Sequence, residues 1–293
     1  MRITILFGGT NKERLVSVAS GQALHQALPE ADLWFWDVVD TVHDVQSKEL
    51  LNHARPFEDE FKPGHRGVGL EQALDRAKAE DRLLVLGLHG GRAEDGELQA
   101  MCEMRGIPFT GSGSASSHLA FDKVAAKRFA ALAGVKAPSG IALEDIEAAL
   151  VEYGKLIAKP ARDGSSYGLI FVNAQQDLVA VRNAAKLEEY LIEPFIAGVE
   201  ATCGVLEQSD GKIFHCRRSR SFRPTADSTT RPNICSNRLR RFVRDALQPK
   251  SAHNSWIRRS GRTKRCRAPA IPARTSLFPR GGRSTSKPTP CRA

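Results

Sequence analysis

Four short stretches of this chain set reactive side chains beside glycines. They are Gly8-Gly9 followed by Glu13, then His89-Gly90-Gly91, then Lys159 ahead of DGSSYG, and finally Glu193 and Glu200 flanking an apolar linker. A glycine-rich run lets backbone N–H groups close on an anion. DGSSYG adds two hydroxyls, Ser165 and Ser166, with Lys159 nearby in sequence. That combination suits a phosphate. Each stretch alone also has a plainer reading. Gly8-Gly9 ends many strands that bind nothing, and Glu13 is a favourable charge near a helix N-terminus. His89 reads equally as a hydrogen-bonded structural histidine, DGSSYG as a hairpin turn, and Lys159 before Pro160 as a solvated strand end.

The elements that must position these residues are legible in the hydrophobic pattern. RITILFGG is a buried strand running into a turn, and RLLVLGLHGG repeats that pattern. NKERLVSVASGQALHQAL has apolar residues at helical spacing, and a second helix is predicted over about 69–80. Strands alternating with helices predict a parallel sheet covered on both faces, an α/β fold. Ligands of such sheets sit at the carboxyl ends of the strands, where Gly8-Gly9 and His89-Gly90-Gly91 fall. GIPFTGSGSASSHLAFDK leads through a Gly/Ser loop into one helix over about 115–134. LIAKPARDGSSYGLIFV reads as strand, glycine loop, strand, and LEEYLIEPFIAGVEATCGVLE as a further strand pair.

The order and spacing of the set is more specific than any member. GGTNKERLVSVASG, LHGGRAEDGELQ, GIPFTGSGSASSHLAFDK, AKPARDGSSYG and EPFIAGVE together closely resemble D-alanine–D-alanine ligase, an ATP-grasp enzyme, over residues 1–214. One departure is Ala93, where the family pattern leads us to expect glycine. The resemblance implies an N-terminal α/β substrate domain at 1–112 and an ATP-grasp region at 113–214. It implies ATP-dependent joining of two D-alanines through an acylphosphate, for peptidoglycan and the cell wall. Glu13 would bind the ammonium of the first D-alanine with His89 nearby, and Ser165 would help orient the second, making Glu13 and Ser165 the catalytic candidates. Lys123 and Lys159 would contact ATP phosphates as point charges, and Ser165 and Ser166 would lie over them. Glu193 would accept from the adenine amine, Phe195 and Ile196 would line the base, and Glu200 would hold the ribose. Mg2+ (or Mn2+), a cytoplasmic location and a homodimer are further implications of the family.

At His215 the character changes. The 293 residues carry a net charge of +10, but residues 215–293 hold 21 Lys and Arg against 2 Asp and Glu, so the first 214 carry −9. The acidic body gives no reason to invoke a polyanion partner. In the family the chain after KIF continues into segments bearing the transition-state arginine and the Asp, Glu and Asn that hold two magnesium ions. None of those motifs follows Phe214 here. HCRRSRSF has codons that, regrouped by one base, permit ALPPVEII, and PTADSTTRPNIC permits FDYEAKYL. PAIPARTS and TSKPTPCRA likewise permit GYSRTDF and LETNTLPG, with a stop predicted after Ala293. The tail therefore reads as out-of-frame translation, disordered and without metal ligands, and the chain as inactive. Two alternatives compete: a fragment with a basic nucleic-acid-binding tail, disfavoured because its arginines lack aromatic interleaving, and an ATP-grasp ligase for another amino acid. Cys102 and Cys203 lie in apolar contexts that predict buried thiols. MRITILFGG is a strand rather than a signal peptide, and no run has the length of a membrane span.

Overall fold

The computed structural model describes residues 1–164, 167–198, 201–207, 211–215 and 219–220. Strand β1 (Arg2–Gly8) leads into helix α1 (Arg14–Ala27), and β2 (Asp32–Trp36) and β3 (Thr41–Val45) follow. Helix α2 (Ser47–Asn52), β4 (Val68–Gly69), α3 (Leu70–Ala79), β5 (Arg82–Leu86) and α4 (Glu97–Arg105) complete the first layer system. The strand order is β4-β3-β2-β1-β5. β1 pairs parallel with both β2 and β5, whereas β2–β3 and β3–β4 are antiparallel. The predicted parallel sheet is thus the centre of a mixed sheet. The antiparallel edge arises because a tight turn joins β2 to β3. In it the Asp37 carboxylate accepts from the Val39 and Thr41 amides, both at 2.9 Å, and Asp40 takes φ +65°.

Both faces of the sheet are covered. Ile5 and Phe7 pack with Leu33, Phe35 and Val85 on the side of Val18 of α1. Leu6, Trp34, Trp36 and Leu84 pack on the other side with Leu70 and Leu74 of α3 and Leu98 and Cys102 of α4. This alternation within continuously apolar strands is what burial on both faces requires. Each fully buried Leu, Ile or Phe contributes about 1.5–3 kcal/mol.

Helices α5 (Ser114–Phe121) and α6 (Lys123–Leu132) follow. They replace the single helix expected over 115–134. The break falls at Asp122 (φ −79°, ψ 104°), whose carboxylate accepts from the Val124 and Ala125 amides at 3.0 and 2.9 Å and so starts a new helix. Neither helix has a buried residue. Next come α7 (Ile146–Tyr153), β6 (Leu156–Pro160), β7 (Ile170–Val172), α8 (Leu178–Ala184) and β8 (Tyr190–Pro194). The strands form an antiparallel sheet of order β7-β6-β8 over a core of Ile146, Leu150, Leu156, Val172, Leu178 and Ile192. β6 and β7 are the predicted hairpin.

Four short strands follow: β9 (Ala201–Thr202), β10 (Val205–Glu207), β11 (Ile213–His215) and β12 (Ser219–Arg220). The expected pairing within 187–207 does not occur, because β8 pairs with β6, β9 with β12 and β10 with β11. Strand pairing therefore continues past Phe214, where the composition changes. The rest of the tail, and with it the reading of 215–293 as out-of-frame and disordered, lies outside the described residues. Cys102 is buried as expected, but Cys203 is exposed, in the two-residue gap between the short strands β9 and β10.

Candidate functional site

The site begins where β1 ends. Gly8 (φ +98°) and Gly9 (φ +117°) turn the chain away from the sheet edge. A Cβ on Gly8 would stand 2.3 Å from the Trp36 carbonyl oxygen, so only glycine fits. The turn is then fixed by Asn11. Its Nδ2 donates to the carbonyls of His89 and Gly90, both at 2.9 Å, and its Oδ1 accepts from the Glu13 amide at 2.7 Å. One side chain thereby joins the carboxyl ends of the two parallel strands β1 and β5.

Glu13 is the residue before α1, and it is 6 % exposed. Its carboxyl packs against Gly90, where a Cβ would lie 2.2 Å from Oε2, and against Gly164 of the glycine loop, where one would lie 3.0 Å away. Burial first, then the negative charges of Glu94 and Asp163, push the Glu13 carboxyl above its ordinary range. An ammonium group arriving there would relieve all three. His89 follows β5, with Nε2 at 2.8 Å from Ser20 Oγ and its amide donating to Ser17 Oγ at 2.9 Å. Its Nδ1 lies 3.8 Å from Glu94 Oε1. Ala93, in place of the expected glycine, is buried and has an ordinary φ, so the loop tolerates its methyl group.

Opposite Glu13 lies the loop between β6 and β7. The Lys123 amide donates to the Ala161 carbonyl at 2.9 Å, and its ammonium donates to the Asp163 carbonyl. Burial, with the positive charge of Lys159 adding to it against the opposing field of Asp163, holds the Lys123 ammonium below the usual lysine range. Arg162 pairs with Asp122 at 2.9 Å, and the Tyr190 hydroxyl donates to the Gly168 carbonyl at 2.9 Å. Ser165 and Ser166 lie outside the described residues, as does Glu200. Between loop and sheet edge lies a cleft of about 660 Å³ whose walls include Asn11, Lys12, Glu13, His118, Asp163 and Tyr167. Its lining carries side chains of both charge signs.

Beyond the loop, Glu193 is 4 % exposed in its side chain and faces two lysines, Lys127 and Lys159. Phe195 and Phe171 meet edge to face at 5.9 Å with the Lys155 ammonium 4.3 Å from the Phe195 ring centre. Ile196 is 68 % exposed. The structure thus gathers Glu13 and His89 at one sheet edge with Lys123 and the glycine loop facing them, and groups Lys159, Glu193, Phe195 and Ile196 along β6 and the end of β8. Sequence reasoning missed Asn11, Lys127, Lys155 and Phe171. Lys127 was within reach, since it lies four residues after Lys123 and so on the same helix face. Asn11, two residues ahead of Glu13, carries the spacing of an Asx turn. Among the described residues no three His, Cys, Asp or Glu side chains converge as metal ligands.

Comparison with known proteins identifies the family and the fold. Residues 2–112 match the family model "D-ala D-ala ligase N-terminus" and residues 138–227 match "D-ala D-ala ligase C-terminus". The chain is 36 % identical over 211 residues to the D-alanine–D-alanine ligase of Pseudomonas entomophila, covering 70 % of this chain and 58 % of that protein. It is 34 % identical over 211 residues to the ligase of Syntrophotalea carbinolica, covering 70 % and 60 %. It therefore spans somewhat under two thirds of the length of these relatives. Among solved structures, the VanG D-Ala:D-Ser ligase of Enterococcus faecalis has a TM-score of 0.55 at 27 % identity, over 74 % of this chain and 68 % of that one. The D-alanine–D-alanine ligase of Helicobacter pylori has a TM-score of 0.60 at 22 % identity, over 80 % and 78 %, a likeness of fold. With both family models matched in order along it, this chain belongs to the D-alanine–D-alanine ligase family.

Proposed function

We propose that the site binds ATP and a first D-alanine, the first half of the D-alanine–D-alanine ligase reaction, within a cytoplasmic chain whose family works as homodimers in cell-wall synthesis. Residues 1–112 act as the substrate domain and 113–214 as the ATP-grasp region. The observation that carries this is the meeting of the buried Glu13 carboxyl with Gly164 of the glycine loop beside a cleft lined by both charge signs. The D-alanine ammonium pairs with Glu13, which Asn11 and Gly90 hold in place. His89, braced by Ser17 and Ser20, stands beside it. The substrate carboxylate then points toward the loop, where Lys123, Lys159, Ser165 and Ser166 receive the triphosphate. In the complete family reaction, attack of that carboxylate on the γ-phosphorus breaks the bond to ADP and forms an acylphosphate. The amine of a second D-alanine displaces phosphate from it, losing a proton as the new amide forms. Catalysis of this kind is positioning plus charge neutralisation. Glu193 and Glu200 take the adenine amine and the ribose, with Phe195 and Ile196 along the base.

Magnesium or manganese would neutralise phosphate charge in such a reaction, and among the described residues no three His, Cys, Asp or Glu side chains converge to hold it. In this sequence the family's metal-binding and arginine segments do not follow Phe214, and we infer that this chain binds without turning over. The test is D-alanine-dependent phosphate release together with ATP binding. ATP binding with no release is expected of this chain, and release with a reading frame repaired after Phe214. Ordinary turnover by the present chain refutes the inactivity, and failure to bind ATP refutes the nucleotide site. In the repaired chain, products formed with D-alanine, D-serine and D-lactate assign the second substrate. An exclusive preference for D-serine would place the chain with the VanG-like ligases.

A further inference from the structure

The environment of Glu193 points to a coupling within the nucleotide site, and the inference rests on the reading of that site as one for ATP. Register explains half of the cluster. Ile157 on β6 is paired with Glu193 on β8, and Lys159 lies two residues along from Ile157 on the same face. Lys159 is therefore the diagonal cross-strand neighbour of Glu193, and its Nζ stands 2.5 Å from Oε2. The other half comes from α6, where Lys127 pairs with Oε1 and also donates to the Pro138 carbonyl at 2.6 Å. Each carboxylate oxygen thus has its own ammonium. With the Glu193 side chain 4 % exposed, a third donor has no open approach.

The two lysines are not equivalent. Lys127 has a second anchor in Pro138, so it is fixed from two sides. Lys159 has Glu193 as its one ion-pair partner among the described residues, and it is the lysine next to the glycine loop, with only Pro160 and Ala161 before Arg162. A buried carboxylate tolerates the loss of one partner only if another remains, because an unpaired buried charge is costly. We propose that Lys159 is a latch on the base-recognising carboxylate. In the arrangement described it occupies Oε2; a triphosphate on the glycine loop draws it away, and Oε2 becomes the acceptor for an exocyclic amine of the base. Lys127 stays on Oε1 throughout as the standing counter-ion. It is a positioning residue, setting which oxygen faces the base. Base and phosphate recognition are then cooperative, since each removes an obstacle to the other.

Calorimetric titration of the full chain tests this with adenosine, with inorganic tripolyphosphate, with both together, and with ATP and GTP. The exchange predicts that saturating tripolyphosphate tightens adenosine binding at least about fivefold. Lys159→Met should bind adenosine alone as tightly as the wild type does with tripolyphosphate, and should show no further gain on adding it. Lys127→Met should lose preference for ATP over GTP, and Lys127→Arg should restore it, which a merely structural role would not require. Lys159, at 29 % side-chain exposure, carries the test alone if Lys127→Met does not fold. Adenosine affinity indifferent to tripolyphosphate in the wild type, or unchanged in Lys159→Met, overturns the exchange while leaving ATP binding intact. Absence of ATP binding by the wild type overturns the nucleotide site as well.

Discussion

Asn11→Ala removes a side chain that ties the end of β1 to the loop after β5. Its three hydrogen bonds, to the carbonyls of His89 and Gly90 and from the Glu13 amide, lie between 2.7 and 2.9 Å. A net hydrogen bond is worth about 0.5–1.5 kcal/mol. Asn11 is half-buried, so water recovers part of the two carbonyl bonds and these belong at the low end. The Glu13 amide sits against a buried residue and belongs at the high end. The sum is about 2–3 kcal/mol. With a urea dependence of about 2–3 kcal/mol per molar, the midpoint should fall by about 1 M. The assay is fluorescence of Trp34 and Trp36, both buried in the sheet, in a Trp256→Phe background. Asn11→Asp is the control. It keeps the size and the acceptor for Glu13 but turns a second acceptor toward two carbonyl oxygens, so it should lose at least as much. An Asn11→Ala midpoint within about 0.2 M of wild type, equivalent to about 0.5 kcal/mol, would refute this account, as would an undisturbed Asn11→Asp.

Glu13, raised by burial first and then by Glu94 and Asp163, keeps its proton to higher pH in the folded chain than in the unfolded one, so it costs stability as pH rises through that interval. Glu13→Gln should therefore raise the urea midpoint at pH 7, with the gain shrinking as pH falls toward the ordinary carboxylate range, while D-alanine binding is lost; equal midpoints at pH 7 count against it. Gly8→Ala should cost more than about 2 kcal/mol, through φ +98° and the contact of its Cβ with the Trp36 carbonyl, and a stable, soluble Gly8→Ala chain would contradict that geometry. Burial pushes the Cys102 thiol up to about 12, so a thiol reagent at pH 8 should modify exposed Cys203 first and reach Cys102 only on unfolding, as peptide mapping would show.

Much of the fold was legible because it is local. β1 and α1 announce themselves by apolar runs, helical spacing and glycine stops, as do α3, β5 and the β6–β7 hairpin. The antiparallel β3–β4 edge was not, since TVHDV and VG are too short and polar to carry a period. The division at Asp122 was hidden because the same apolar spacing runs through both helices, and only the carboxylate's contacts with two amides reveal the start of the second. The site divides likewise. Glu13, His89, Lys123 and Lys159 stand in motifs, but Lys127 is defined by a partner 66 residues away in sequence. Cys203 looked buried from its neighbours because apolar context along the chain does not specify what packs across it.

The lack of any buried residue in α5 and α6 has a consequence for how this part of the chain holds together. The two larger sheets are closed over apolar cores that charge screening does not weaken, whereas the contacts fixing 114–132 include the Asp122–Arg162 and Lys127–Glu193 ion pairs and the Lys123 ammonium on the Asp163 carbonyl. Exposed charges more than about 8 Å apart are largely screened at physiological ionic strength, and close pairs weaken with salt in proportion to their exposure. Here the more exposed Arg162 pair goes first and the sheltered Glu193 pair last. Opening of this segment is therefore a partial unfolding set by ionic strength, distinct from the global transition set by the cores. Helix α6, which presents Lys123 and Lys127 to the glycine-loop side of the site, and α5 beside it form a separate, electrostatically fastened layer. Amide exchange in 114–132 would rise with added salt while exchange in β1, β2 and β5 stayed slow.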